Sequence, residues 1–293
     1  MTLLGVCTFF YEKEFMERKT SFFELKKETK ELFDTLGIDI VDFEWICCEI
    51  LGKKRSELVF EKEIDEKNVK KIRRLVAKRA KHIPLDYIFG KSEFMGHDFK
   101  VNKNVLIPRI DTEILTQQVI NEIRARKCCV KVLEIGVGSG AVIETIALET
   151  DSVCTGVDIS RKALKIAKFN AKQNNAKVKF LKSNIFEKIK NEKFDLIVSN
   201  PPYIESQTIK SLEIEVKDHE PILALDGGVD GLDYYRKIIS ESPKFLNDGG
   251  KLFFEIGYNQ AESVKNLMKD NFKKINVIKD YGNNDRVVMG EKL

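Results

Sequence analysis

No run of about 18 consecutive apolar residues occurs anywhere in the 293-residue chain, so no segment reads as a transmembrane helix. Histidine is scarce, with three residues, and the six cysteines include no Cys-x-x-Cys. Four of the cysteines form vicinal pairs, 47/48 and 128/129, which make a poor disulfide framework and a poor zinc site. Reduced thiols, no metal and a cytoplasmic location are therefore expected. The chain also lacks a dominant charge sign. Its 50 basic and 46 acidic residues leave a net charge of +4, which does not by itself announce a nucleic-acid binder. The opening MTLLGVCTFFYEKEF has an apolar patch but no basic residue before it, so an extension preceding Met16 is a better reading than an export signal. Internal repeats and low-complexity tracts are missing too.

What is present divides into two patterns. Between residues 20 and 83 apolar side chains recur at helical spacing. Phe22, Leu25, Leu32, Phe33 and Leu36 predict one helix, with Thr20 or Ser21 as N-cap and Gly37 as stop. Asp42 is expected to cap a second helix to Gly52, and residues 56–60 to form a short third. Asp65 is expected to cap a fourth, ended by Pro84. That fourth helix carries eight basic residues between Lys67 and Lys81 and no acid among them, which reads either as a solvated face or as a contact surface for an acidic or RNA-bearing partner. Residues 93–108 alternate like a hairpin. Asp111 or Thr112 should then cap a helix to about Arg126.

Beyond residue 130 the period changes. Strands are expected at 130–135, 153–157, 178–181, 194–198 and 251–256, and helices at 139–149, 160–174, 231–242 and 259–270. Two closing strands are expected near 274–279 and 286–290. Alternation of this kind predicts an α/β fold, with a doubly wound, mostly parallel sheet of seven strands and an antiparallel pair at one edge.

The first of these strands runs into Gly136-Val137-Gly138-Ser139-Gly140. Glycines let a backbone turn tightly and lie against a ligand, and the helix that follows offers free N–H groups. Asp158 ends the next strand, where a carboxylate accepts from the two hydroxyls of a ribose. These features predict a nucleoside cofactor but leave a dinucleotide and S-adenosylmethionine equally open.

The fourth parallel strand ends in Ser199-Asn200-Pro201-Pro202-Tyr203. A proline after Asn200 holds that residue extended, and two prolines stiffen the backbone and remove two donors. The turn becomes a rigid rim of acceptors, the Asn200 side-chain oxygen and the Pro201 carbonyl, with the Tyr203 ring beside them. Such a rim suits a planar –NH₂ group that donates two hydrogen bonds and is turned toward an electrophilic methyl. A dehydrogenase has no use for it, so S-adenosylmethionine is the expected cofactor.

With these motifs in place, the chain resembles the N5-glutamine methyltransferases that modify peptide chain release factors. Pro84-Leu-Asp-Tyr-Ile-Phe-Gly90, the Phe94 to Val101 segment and Val105-Leu-Ile-Pro-Arg109 match the family's linker motif, and Asp111-Thr112-Glu113 resembles its Glu-Thr-Glu. Glu220-Pro221, Asp230-Gly231-Leu232, Tyr235-Arg236 and Leu252-Phe-Phe-Glu255-Ile-Gly257 with Gln260 match later motifs. Ile110 and Glu134 are small departures. The resemblance implies a helical substrate-docking domain over 1–90 (with 1–19 as an extension), a β-hairpin linker over 91–110 and a methyltransferase domain over 111–293. It implies that the cofactor meets Glu134, Gly136, Val137, Gly138, Ser139 and Gly140 at its methionine end, Asp158 at its ribose, and Asn184 and Ile185 at its adenine. Family members commonly have aspartate in place of Asn184. Phe99 and Asn200 would border the cofactor, and Arg109 is open to a purely structural ion-pair role.

The implied activity is methyl transfer to the glutamine amide of a release-factor Gly-Gly-Gln loop. Asn200, Pro201 and Tyr203 would be catalytic, with Pro202 completing the substrate rim. The implied partner is a folded protein, with neither membrane nor nucleic acid required. Two alternatives stand beside it. One is an adenine-N6 methyltransferase that grips the exocyclic amine of a flipped base. The other is a non-catalytic module that keeps only the fold.

Overall fold

The computed structural model describes residues 20–126 and 128–293. The expected N-terminal extension lies outside them. The chain forms two compact units, one ending at Phe89 and the other running from Gly90 to Leu293.

The first unit is helical. Helix α1 (Phe22–Leu36) starts on a capping box: Ser21 accepts from the Glu24 N–H, the Glu24 carboxylate accepts from the Ser21 N–H, and Gly37 stops the helix at φ 67°. Helix α2 (Val41–Leu51) begins one residue before the expected cap. Asp39 accepts from the Val41 N–H instead, and Asp42 is used in an ion pair with Arg79 at 2.6 Å. A 3₁₀ turn (Arg55–Phe60) leads to α3 (Glu66–Arg79), capped by Asp65. A short helix, α4 (Leu85–Phe89), was not expected from the sequence. Phe33, Phe43, Ile46 and Ile72 are wholly buried at the centre of this unit. Three of the cations of α3 are matched within the unit: Lys70 with Glu66, Arg73 with Glu28, and Arg79 with Asp42.

The second unit opens with a hairpin, β1 (Lys91–Phe94) and β2 (His97–Lys100), shorter than the alternation suggested. Residues 101–109 are irregular and lead into α5 (Ile110–Ala125). Helix α5 starts at Ile110 without a side-chain cap, because Asp111 and Thr112 point to tertiary partners described below.

The sheet follows. Strands β3 (Lys131–Ile135), β4 (Val153–Asp158), β5 (Val178–Lys182), β6 (Phe194–Ser199), β7 (Leu246–Glu255), β8 (Phe272–Lys279) and β9 (Asp285–Lys292) lie in the order β5-β4-β3-β6-β7-β9-β8. The first five are parallel, and β9 runs antiparallel between β7 and β8. Helices α6 (Ala141–Glu149), α7 (Arg161–Asn174), α8 (Ile214–Lys217), α9 (Asp233–Glu241) and α10 (Ala261–Met268) connect them. Apolar side chains from both faces of the sheet form two cores, one including Val132, Leu196 and Phe253, the other Leu133, Ile197 and Phe254. Strand order reverses between β3 and β6, so the crevice beyond their carboxyl ends is where an open α/β sheet takes its ligand. No described helix is long and apolar enough to cross a membrane.

Candidate active site

At the end of β3 the backbone passes through positive φ at Gly136 (80°) and Gly138 (55°), a region that side chains with a Cβ rarely occupy. A Cβ built on either residue would meet nothing within 4 Å, so open space lies over this part of the loop. Asp158, at the end of the neighbouring β4, holds the loop from below. Its two carboxylate oxygens accept from the N–H groups of Gly138 at 3.0 Å and Ser160 at 2.7 Å. Burial pushes its pKa up, and the two N–H donors oppose that. An ionised carboxylate has about four lone-pair sites, so two such bonds leave capacity for a ligand diol.

Glu134, buried in β3, accepts from the Ile143 N–H at 3.0 Å and so caps the first turn of α6, where the Gly140 N-cap has no side chain to do so. Ser139 is tied in through Asn170 of α7. The Asn170 amide donates to the Ser139 and Lys100 carbonyls and accepts from the Lys100 N–H, clamping the hairpin to the glycine loop. Composition and spacing gave no signal for this clamp.

One cavity is lined by Glu134 to Ser139 after β3, by Asp158 and Ser160 after β4, by Asn184 and Ile185 after β5, and by Asn200, Pro201 and Pro202 after β6. The linker contributes Asn104, Val105, Leu106 and Pro108, and Pro221, Leu223, Ala224 and Tyr234 complete the wall. Three residues named from the sequence do not line it. Phe99 is wholly buried in the core, edge-on to Phe94. Gly140 turns toward Glu144 and Ala167. Tyr203 packs its ring against the second core and directs its hydroxyl inward to Glu255 Oε1 at 3.5 Å. Burial raises the Tyr203 phenol well above its usual pKa. Asn184 donates through Nδ2 to Glu187 at 2.8 Å, which leaves its oxygen as an acceptor, the part an aspartate would play.

The Asn200 turn is held from several sides. Ser199 Oγ donates to the Ile135 carbonyl at 2.8 Å, linking the ends of β6 and β3. Gln260 Nε2 donates to the Tyr203 carbonyl at 3.0 Å, while its Oε1 accepts from the Gly257 N–H. The stretch 225–231 lies against the turn so closely that a Cβ on Gly231 would sit 2.3 Å from the Tyr203 carbonyl oxygen. Asn200 Nδ2 donates to Thr112 Oγ1 at 3.2 Å, and behind them stands Glu255. Arg286 of β9 pairs with Asp111 at 3.1 Å and Asp280 at 3.0 Å. Arg109 pairs with the buried Glu220 at 2.5 Å, next to Pro221 on the cavity wall. Among the described residues no cluster of His, Cys, Asp and Glu suits a metal ion.

Beneath the glycine loop, Glu144 is wholly buried, and neither carboxylate oxygen has a partner with hydrogen-bond geometry. Burial pushes its pKa up to about 9, with Glu134 adding repulsion and the Asn174 side chain opposing the rise. Below about pH 4.5 folded and unfolded chains both hold this proton. As pH rises toward 9 only the folded chain keeps it, so folding loses up to about 1.4 kcal/mol per pH unit across that window. Glu144→Met should therefore raise the melting temperature, and by more at pH 8 than at pH 5. Thermal melts at the two pH values measure this, and equal gains would remove titration as the cause.

Comparison with known proteins bears on the same residues. The family model described as Methyltransferase small domain matches residues 109–216, and PrmC N-terminal domain matches 24–90. A protein of Fusobacterium nucleatum named release factor glutamine methyltransferase is 41% identical, with 96% of this chain and 86% of that one covered. A protein of the same name from Geobacter sulfurreducens is 40% identical over 85% of this chain and 88% of that one. Among solved structures, the Thermus thermophilus 16S rRNA N2 G1207 methyltransferase, in complex with AdoMet and guanosine, matches with a TM-score of 0.51 at 16% identity. That match covers 69% of this chain and 50% of the other, and is a likeness of fold.

Proposed function

This chain belongs to the release factor glutamine methyltransferase family, and from that premise we propose how its own residues carry out the transfer. It is an enzyme that moves a methyl group from S-adenosylmethionine to a glutamine side-chain amide of a release factor. Bound in the cavity, the cofactor supplies a sulfonium-activated methyl carbon.

The residues present fit that ligand. The open space over Gly136 and Gly138 admits a ligand against the backbone, and Asp158 keeps acceptor capacity for a ribose diol. With its Nδ2 bonded to Glu187, the Asn184 oxygen would accept from an adenine amino group. The observation that carries the reading is that Asn200 shares one cavity with Gly136 and Asp158. Its side-chain oxygen and the Pro201 carbonyl would accept both protons of the substrate carboxamide. An amide nitrogen is a weak nucleophile because its lone pair is delocalised. Holding both N–H bonds would fix the direction of that nitrogen in the cavity, and positioning of this kind is worth up to about 7–11 kcal/mol. On taking up the methyl group the substrate nitrogen would release one proton to water.

The helical unit is the docking element for the folded partner in this proposal, and the remaining cations of α3 are its candidate contacts. Action in the cytoplasm follows from the partner. The Gly-Gly-Gln loop is the proposed target. Incubation with a purified release factor and labelled cofactor, followed by mass mapping, should place one added methyl on that glutamine. Label appearing instead on an adenine-containing oligonucleotide would overturn the assignment.

A further inference from the structure

We infer that Glu255 is a positioning residue for methyl transfer: its buried carboxylate sets which end of the Asn200 amide faces the substrate. The inference rests on the reading of Asn200 as the group that holds the substrate carboxamide.

The two ends of an asparagine amide have nearly the same shape and opposite hydrogen-bonding roles. If Asn200 presented Nδ2 to the cavity, a donor would face the donors of the substrate amide. Something behind it must fix the direction. Its immediate neighbour is the Thr112 hydroxyl, 3.2 Å from Nδ2. A hydroxyl both donates and accepts, so Thr112 alone cannot select. Glu255 can. Ionised, it only accepts, and it stands close enough behind the Thr112 and Asn200 side chains for both to lower its pKa. Once the Thr112 O–H donates its hydrogen bond to Glu255, only the hydroxyl lone pairs remain for Asn200. Nδ2 must then turn inward and Oδ1 outward. One carboxylate thereby directs the whole relay, Glu255 to Thr112 to Asn200.

The surroundings suit an acceptor at this point. Glu255 is 1% exposed. Tyr203 approaches Oε1 with its hydroxyl, and Oε2 has no partner with full hydrogen-bond geometry, which leaves it available to Thr112 and Asn200. Tyr235 of α9 donates to the Glu255 main-chain carbonyl at 2.9 Å, fixing the backbone rather than competing for the carboxylate. Arg286 on β9 is the cation that balances the charge, and it is shared with Asp111 and Asp280. Burial raises the Glu255 pKa to about 7, against the lowering influence of Thr112, Arg286 and Asn200, while Asp111 adds to the rise. The ionised form is the directing form, so kcat should climb with pH through about 7.

The test is steady-state transfer to a release factor between pH 6 and 9, with calorimetry of S-adenosylmethionine binding and a melting temperature for each variant. Glu255→Gln keeps the shape but offers a donor and an acceptor, so it selects neither end of Asn200. It should lose about 100-fold in kcat, bind cofactor within about threefold of the parent, and show no rise near pH 7. Thr112→Val keeps the carboxylate but cuts the relay, and should lose kcat in the same way with cofactor affinity retained. It stands in if Glu255→Gln does not fold. Glu255→Gln with kcat within about twofold of the parent would overturn the inference. So would parallel loss of kcat, cofactor affinity and melting temperature in both variants, which marks a structural role only. A parent enzyme that does not methylate release factor would instead defeat the reading on which the inference rests.

Discussion

Asn200→Ala should lower kcat for release-factor methylation by about 10²–10³-fold while the S-adenosylmethionine dissociation constant moves by less than about threefold. The side chain lines the cavity at the end of β6, and the backbone around it is fixed by Ser199, Gln260 and the 225–231 stretch. Truncation at Cβ should therefore leave the turn standing. In the proposed binding mode, what goes is one of two acceptors for the substrate amide, which would then rotate about the bond it keeps to the Pro201 carbonyl. Single-turnover transfer and calorimetric titration separate the two quantities. If both fell together, Asn200 would be a cofactor-holding residue alone.

Asp158→Ala should do the reverse. Two bonds from a carboxylate to ribose hydroxyls are worth about 1.5–3 kcal/mol each, of which water recovers part. A net loss of about 3 kcal/mol corresponds to a cofactor dissociation constant about 100-fold weaker. The carboxylate also anchors the N–H groups of Gly138 and Ser160, so the glycine loop loosens with it and adds to the loss. At saturating cofactor most of kcat should return, which distinguishes this variant from Asn200→Ala in one experiment. A dissociation constant within about threefold of the parent would show that the ribose lies elsewhere.

Strands β3 and β6 were legible because each is a short, largely apolar run stopped by glycine or asparagine, at Gly136 and Asn200. The expected 130–135 and 194–198 became Lys131–Ile135 and Phe194–Ser199. Helix caps were less legible, for a physical reason. Asp42, Asp111 and Thr112 are all good capping residues, yet each spends its side chain on a distant partner: Arg79, Arg286 and Asn200. Sequence spacing cannot show a partner that only the fold brings near. Apart from the single turn of α8, the stretch 204–230 is held by backbone bonds such as Ile204 N–H to the Leu225 carbonyl and Gly227 N–H to the Ile204 carbonyl, which leave no period in the sequence. Residues 101–108 alternate like a strand but leave the hairpin at Lys100 to line the cavity, where Pro108 has no N–H for a ladder.

Two of the cavity's three named exceptions have the same origin. Phe99 and Tyr203 are large rings, and a ring near a pocket in sequence is drawn into the nearest core when one is available. Glu255 lies within the Leu252–Gly257 motif, but its burial behind Asn200 depends on the register of β7 against β6, which pairs Ser199 with Phe254.

That register has a temporal side. Strand β9 inserts between β7 and β8, so the sheet cannot be completed while the chain is still being lengthened through residue 284. Until Asp285–Lys292 arrives, β7 has a bare margin and Glu255 lacks its cation. Emergence of the polypeptide and assembly of the reactive crevice are thus ordered events.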